Sequence, residues 1–171
     1  CPLSDDFLAS TCKRWEAAAA GFDKLGIRTV IFRIGIVLAN EGGMLGEMKK
    51  IMLFKILPVF GNGKQYQSWI HIDDLCRMMT FAIRETEMKG IYNAVSPGPL
   101  SNKNLMTLLG QITGGKFFTI RIPALFMRLM LGEMAKTVVT GTRVSCRKIE
   151  AAGFKFTYTS AANAFKNLLG K

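Results

Sequence analysis

The segment Gln65–Asp74, reading Gln-Tyr-Gln-Ser-Trp-Ile-His-Ile-Asp-Asp, constrains the fold of this chain more than any other. Tyr66, Ser68, Ile70 and Ile72 alternate with Gln67, Trp69 and His71, and the β-branched and aromatic content predicts a short strand. From Asp73-Asp74 onward, Leu75, Met78, Met79 and Ala82 recur at helical spacing. The chain therefore turns from strand to helix with almost no loop. A carboxylate at such a corner can accept hydrogen bonds from the free N–H groups of the first helical turn and sits in the positive end of the helix dipole. Asp73 and Asp74 are accordingly read as caps rather than as a catalytic pair.

His71, the one histidine of the chain, lies two residues before the turn. Imidazole is a common acid or base near neutral pH. With no nucleophile or carboxylate placed by sequence to partner it, His71 is read as a residue that orients the corner.

Ile27 to Leu38 is dense in Val, Ile and Phe with little alternation, the pattern of a strand covered on both faces in a parallel sheet. Ile91–Val95 is a second segment of this kind. A helix precedes the first strand: Ser4-Asp5-Asp6 is read as its N-cap, and Phe7, Leu8, Cys12, Trp15, Ala18, Ala19 and Phe22 as its apolar face. Helix, short loop and buried strand make half of a βαβ unit.

Elsewhere, Met44 to Leu57 reads as an amphipathic helix stopped by Pro58, and Gly61-Asn62-Gly63 as a tight turn rather than a phosphate loop. Ser101 is expected to cap a helix carrying Leu105, Leu108, Leu109 and Ile112. Phe117–Ile122 predicts a short strand leading to Pro123 at the start of a Leu/Met-rich helix that stops at Gly132. A short helix over Val144–Ala152 ends at Gly153. Thr159 or Ser160 caps a last helix with Ala161, Phe165, Leu168 and Leu169 inward.

At 171 residues, 49% hydrophobic and 20% charged, the chain has the composition of a folded domain. No apolar run is long enough to span a bilayer; the greasiest, Ile122–Leu131, is short and carries Arg128. No signal peptide is visible, and the opening Cys1-Pro2 suggests a processed protein or a piece of a longer one. Four scattered cysteines without a C-x-x-C pair, beside a single histidine, give no metal pattern. Cys12 and Cys76 fall on apolar helix faces and are expected in a reducing core, which points to the cytoplasm. The net charge of +11 is carried almost entirely by the stretch after Met88, where Glu133 and Glu150 are the only acids. The basic residues are dispersed, so nucleic-acid binding through Lys89–Lys171 is the weakest of the readings.

Several motifs, in this order, resemble one family: Trp15-Glu16-Ala17-Ala18, Arg33-x-Gly35-Ile36-Val37-Leu38, Gly42-Gly43, Trp69-Ile70-His71-Ile72-Asp73-Asp74, Tyr92-Asn93-x-x-Ser96-Pro97 and Glu150-Ala151-Ala152-Gly153-Phe154. The chain resembles the C-terminal part of an epimerase-family protein (NAD-dependent epimerase/dehydratase, in the extended short-chain dehydrogenase/reductase superfamily) that ends in a domain of unknown function. The resemblance implies an α/β fold: the C-terminal portion of a Rossmann-type parallel sheet, over residues 1–41 and 65–98, with a small, mostly helical substrate lobe over 42–64 and 99–171. It implies NAD or NADP as cofactor, with Arg33, Ile34, Gly35, Ile36 and Val37 along the nicotinamide end. Gln67, Trp69 and His71 fall on the substrate side, and a small molecule is the expected partner.

Three departures qualify what the resemblance implies. The chain has no G-x-x-G-x-x-G, the turn with which such a sheet holds the pyrophosphate. Registered on Glu16, the family's Tyr-x-x-x-Lys pair falls on Leu8 and Cys12, which can do no proton transfer. No residue is assigned a catalytic role, and the chain alone is expected to be inactive. Sugar-nucleotide enzymes of the superfamily place Arg-Asp where Gln67-Ser68 stand here, and an arginine fork suits a diphosphate better than an amide does. The alternatives are a non-catalytic NAD(P)-binding sensor and a basic nucleic-acid-binding module. Oligomeric state is left open.

Overall fold

The structure, a computed structural model, describes residues 7–132 and 139–170. Helix α1 (Phe7–Ala20) and a single 3-10 turn at Asp23–Leu25 lead into strand β1 (Val30–Ile34) and, after Gly35, into β2 (Ile36–Leu38). Helix α2 (Gly43–Met52) and β3 (Ile56–Phe60) follow. The corner comprises β4 (Tyr66–Gln67), β5 (Trp69–His71) and α3 (Ile72–Arg84). Then come β6 (Gly90–Ala94), β7 (Leu100–Ser101), α4 (Asn102–Thr113), β8 (Phe118–Ile122) and α5 (Ala124–Leu131). Two short helices, α6 (Arg147–Ala151) and α7 (Ala161–Leu168), complete the described chain.

The two hydrophobic segments expected to be sheet neighbours are neighbours. β1 runs parallel to β6, Val30 opposite Gly90 through to Ile34 opposite Ala94. β2 runs parallel to β5, and β3 to β8, while β4 and β7 form a short antiparallel pair. The fold is thus α/β with parallel strands and helical cover.

Gly35 explains why the Val30–Leu38 segment is two strands. There the chain leaves β6 for β5: the Gly35 N–H bonds to the Ala94 carbonyl, and the next N–H, of Ile36, bonds to that of Ser68. A Cβ at position 35 would lie 2.5 Å from the Ser68 carbonyl oxygen and 2.7 Å from Val95 Cγ1. Only glycine allows three strands to meet this closely.

The core is in two clusters. One joins Leu38, Leu45, Met48, Leu57, Trp69, Leu105, Leu109 and Phe165, and so fills the space between α2, β3, α4 and α7. The other joins Ile70, Leu75, Met78, Tyr92, Ala94, Ile149 and Phe154 between α3, β6 and α6. Trp69 and Ile70, adjacent on β5, point to opposite clusters.

The corner behaves differently from its sequence reading. The N-cap of α3 is His71, whose ring accepts from the Asp73 N–H, not either aspartate. Asp73 is exposed. Asp74, with 0% exposure, reaches across to the C-terminal segment and accepts the N–H groups of Thr157 (2.9 Å) and Tyr158 (2.8 Å), with Arg77 at 2.7 Å.

Other boundaries moved as well. α2 stops at Met52, and Pro58 lies inside β3 opposite Ile120 rather than ending a helix. Among the described residues β3 has a partner on one side only, which is where a strand tolerates a residue lacking N–H. The apolar face of α1 is not a core face: none of the helix's residues is buried. Cys12 and Cys76 are exposed, and among the described residues the buried thiol is Cys146. Ser101 and Ser160 cap α4 and α7 as expected. The proposed cap at Ser4-Asp5-Asp6 lies outside the described residues.

Removing the Asp74 carboxylate leaves the Thr157 and Tyr158 N–H groups without their acceptor and takes from Arg77 the carboxylate it pairs with. Asp74→Ala is expected to destabilise the chain by about 3 kcal/mol or more in urea unfolding, and Asp74→Asn by roughly half of that. Amide exchange should rise first over Thr157–Leu168; exchange unchanged there would contradict the clamp.

Candidate site at the carboxyl edge of the parallel strands

In open α/β sheets, ligands bind beyond the carboxyl ends of the strands. Here the carboxyl ends of β1 and β6 open onto a cleft of about 420 Å³ lined by Arg33, Ile34, Gly35, Asn93, Val95 and the segment 142–145. A second cleft, of about 490 Å³, lies on the other side of that segment between Pro97–Pro99 and Arg147. Arg143, Val144 and Ser145 border both.

The segment between the clefts is held by side chains from the corner. The Ser68 hydroxyl donates to the Thr142 carbonyl (2.9 Å) and accepts the Val144 N–H (3.0 Å). Asn93 donates its amide N–H to the Ser145 carbonyl at 3.0 Å. A Cβ on Gly141 would fall 2.0 Å from the Tyr66 carbonyl oxygen, so the segment can lie against β4 only with glycine there. Arg143 then stacks its guanidinium 4.5 Å above the Tyr66 ring.

Of the residues expected along a cofactor, Arg33, Ile34 and Gly35 line the cleft, and Ile36 and Val37 continue behind it in β2. Arg33 also has a partner inside the chain. Its Nε and Nη2 donate to the two carboxylate oxygens of Glu16 on α1, at 2.6 and 2.7 Å. That fork holds the Glu16 carboxyl below its ordinary range and raises Arg33 further still.

Gln67, Trp69 and His71 are all buried and are spread along β4 and β5. Trp69 donates its indole N–H to the Gly98 carbonyl at 3.2 Å. His71 has both nitrogens engaged. Because Nδ1 accepts the Asp73 N–H, the ring proton lies on Nε2 and is donated to Asn167 Oδ1 at 3.2 Å. Its face stacks on Tyr158 at 3.7 Å. Gln67 differs from the other two in keeping an amide oxygen without a partner. Among the described residues no group of three or more His, Cys, Asp or Glu is placed to hold a metal.

Arg143 was not singled out by sequence, and Asn93 entered only within the motif Tyr92-Asn93-x-x-Ser96-Pro97, with no role of its own. The signal available was Ser68, which stands where an aspartate would in the sugar-nucleotide enzymes and here fastens the 142–144 segment.

Comparison with known proteins bears on what this edge belongs to. Residues 19–94 match the model of the NAD dependent epimerase/dehydratase family, and residues 122–168 match a domain of unknown function. An epimerase family protein of Staphylococcus aureus (strain MRSA252) is 38% identical over 169 residues, 99% of this chain and 56% of its own length. The chain is similar to the epimerase family along nearly its whole length. It spans about half the length of the curated relatives it matches. A human epimerase family protein solved with NADPH superposes with a TM-score of 0.88 at 27% identity, over 97% of this chain and 56% of that one. A nucleoside-diphosphate sugar epimerase from Corynebacterium glutamicum superposes at 0.75 with 32% identity, over 98% of this chain and 32% of that one. UDP-glucuronic acid 4-epimerase from Bacillus cereus, at 21% identity and a TM-score of 0.74, shares the fold.

Cys146, beside the second cleft, is kept protonated: burial pushes its thiol up to about 11, and the Glu150 carboxylate that accepts from it adds to the shift. A raised value leaves no thiolate at neutral pH, and reactivity appears only as the pH approaches that value. At pH 8, iodoacetamide is expected to label exposed Cys12 and Cys76 at least tenfold faster than Cys146, read by peptide mass mapping. Equal rates would contradict this environment.

Proposed function

We propose that this chain forms the nicotinamide-side wall and the substrate lobe of an NAD(P)-dependent epimerase/dehydratase-like oxidoreductase. Pyrophosphate binding and proton transfer then come from polypeptide beyond these 171 residues. The observation that carries this reading is the cleft at the shared carboxyl edge of β1 and β6, in a chain whose relative of 0.88 TM-score was solved with NADPH. In this reading Arg33, Ile34 and Gly35 line the nicotinamide end, and Ile36 and Val37 set their depth. A bound dinucleotide would supply the hydride; this chain's part is to shape the wall and exclude water.

The substrate side is the lobe with α4, α5 and the 142–145 segment. Gln67 offers an uncommitted acceptor there, while Trp69 and His71 act from behind by fixing the corner. With an amide and a hydroxyl at Gln67-Ser68, and the hydroxyl already committed to the 142–144 segment, we infer a substrate other than a nucleotide sugar.

A second reading is a sensor that binds NAD(P) and relays its state without turning over substrate. It is favoured by His71, both of whose ring nitrogens are spent on structural hydrogen bonds, and by Leu8 and Cys12 in place of a Tyr-x-x-x-Lys pair.

Titration of NADPH and NADH into the purified chain, followed by cofactor fluorescence, is expected to show no submicromolar binding. A submicromolar Kd would mean that the dinucleotide site is complete within these residues and would overturn the proposed division. Turnover of any carbonyl compound by the longer gene product with NAD(P)H would exclude the sensor reading.

A further inference from the structure

The helical lobe contains a second kind of cavity, on the side bounded by α2, α4 and the end of α7. It measures about 350 Å³ and is lined by Lys49, Met52, Leu53, Leu109, Thr113, Phe117 and Leu169. None of these residues borders the clefts at the carboxyl edge of β1 and β6. The volume falls in the range of small-molecule sites, and five of the seven lining side chains are aliphatic, thioether or aromatic.

The wall is shaped for openness. Phe117 lies flat against the backbone of Gly115, where a Cβ would be 2.7 Å from two of its ring atoms, and close to Gly110, where a Cβ would be 3.5 Å from Cδ2. The missing side chain at Gly115 lets the ring fold back there, while at Gly110 it is Leu57, with Cδ1 2.6 Å from where a Cβ would be, that needs the glycine. At the same edge Leu53 and Phe54 are 82% and 78% exposed, far more than the core accounts for.

One cation borders the cavity. Lys49 hydrogen-bonds the neutral amide oxygen of Asn40, and among the described residues no carboxylate pairs with it. The neighbouring Glu47 is engaged by Lys50 at 2.7 Å. The Thr113 hydroxyl donates to the Leu109 carbonyl, which leaves the inner wall without a free donor. An apolar hollow with a single uncompensated positive charge at its edge is complementary to an alkyl chain ending in a carboxylate.

We propose that this cavity binds a medium-chain fatty carboxylate, its alkyl chain against Met52, Leu53, Leu109, Phe117 and Leu169 and its carboxylate at the Lys49 ammonium. The site is separate from the dinucleotide edge and stands whether or not that edge binds NAD(P).

The test is a ¹H–¹⁵N correlation titration of the chain with hexanoate, octanoate and decanoate, and with decan-1-ol as the uncharged analogue. Saturable shifts are expected at the amides of Met52, Leu53, Leu109, Thr113 and Phe117. Affinity should rise about two- to fourfold per added methylene, and decan-1-ol should bind about three- to fivefold more weakly than decanoate. Lys49→Gln should bring decanoate down to the level of the alcohol and leave the alcohol unchanged. Leu169→Trp, which fills the hollow, should remove both. Absence of saturable shifts at these amides overturns the proposal. So does affinity independent of chain length, or decanoate binding unchanged in Lys49→Gln, a half-buried position outside the buried core cluster.

Discussion

A carboxylate with no solvent exposure is the constraint on which the rest of this structure turns. Asp74 would be prohibitively costly to bury unpaired, and it is stable only because three donors converge on it: the N–H groups of Thr157 and Tyr158, and Arg77. Those donors come from the C-terminal segment and from one turn further along α3. The acid therefore fixes where the chain must return after α6. Three residues earlier on the corner, His71 makes the same connection from the other side, through Asn167 of α7 and the stacked ring of Tyr158. The strand-to-helix corner is thus the place where the parallel strands and the C-terminal segment with α7 are tied together.

The second organising point is the change of partner at Gly35. A strand that pairs with β6 and then with β5 must pass between the Ser68 carbonyl and Val95, and no side chain fits there. The same crossing puts Ser68 beside the cleft, with its hydroxyl free to hold the 142–144 segment. Sheet geometry and the wall of the candidate site therefore share one cause. A glycine expected for its closeness to a cofactor has a full explanation in the closeness of three strands, and the two requirements are compatible because the strand end and the cleft coincide.

What could be read from sequence follows a physical divide. Continuous Val/Ile/Phe segments gave the parallel pair β1–β6, and serines at helix starts gave the caps of α4 and α7, because both signals are local and chemical. Pro58 misled because the sequence shows that proline breaks a helix but not that β3 lacks a neighbour on one side among the described residues. The apolar stripes holding Cys12 and Cys76 record a periodicity, yet burial depends on what packs against it, and the described residues bring nothing over those positions. Asp73-Asp74 satisfied every local rule for a helix cap. His71 took that role because its ring nitrogen reaches the Asp73 N–H from the preceding strand, and Asp74 was drawn to backbone groups 83 and 84 residues away. Arg143 was invisible for the same reason: its place beside the cleft is set by Tyr66 and Ser68, both more than 70 residues upstream.

The charges at the carboxyl edge are unevenly committed, and this bears on what the edge can recognise. Arg33 is held in a two-point fork by Glu16, so its positive charge is largely answered within the chain, and its first task is to fasten α1 to β1. Glu16 is held below the ordinary carboxylate range, so the fork persists at neutral and mildly acidic pH. It is lost only as the pH falls through that lowered value. Arg143 is answered by an aromatic face, which positions a guanidinium without neutralising it. Of the two arginines that line the first cleft, the one whose charge no carboxylate among the described residues answers is therefore Arg143, and not the arginine that the motif Arg33-x-Gly35 draws attention to. Under the proposed function, an anionic group at this edge would meet Arg143, a residue that only the tertiary fold places there.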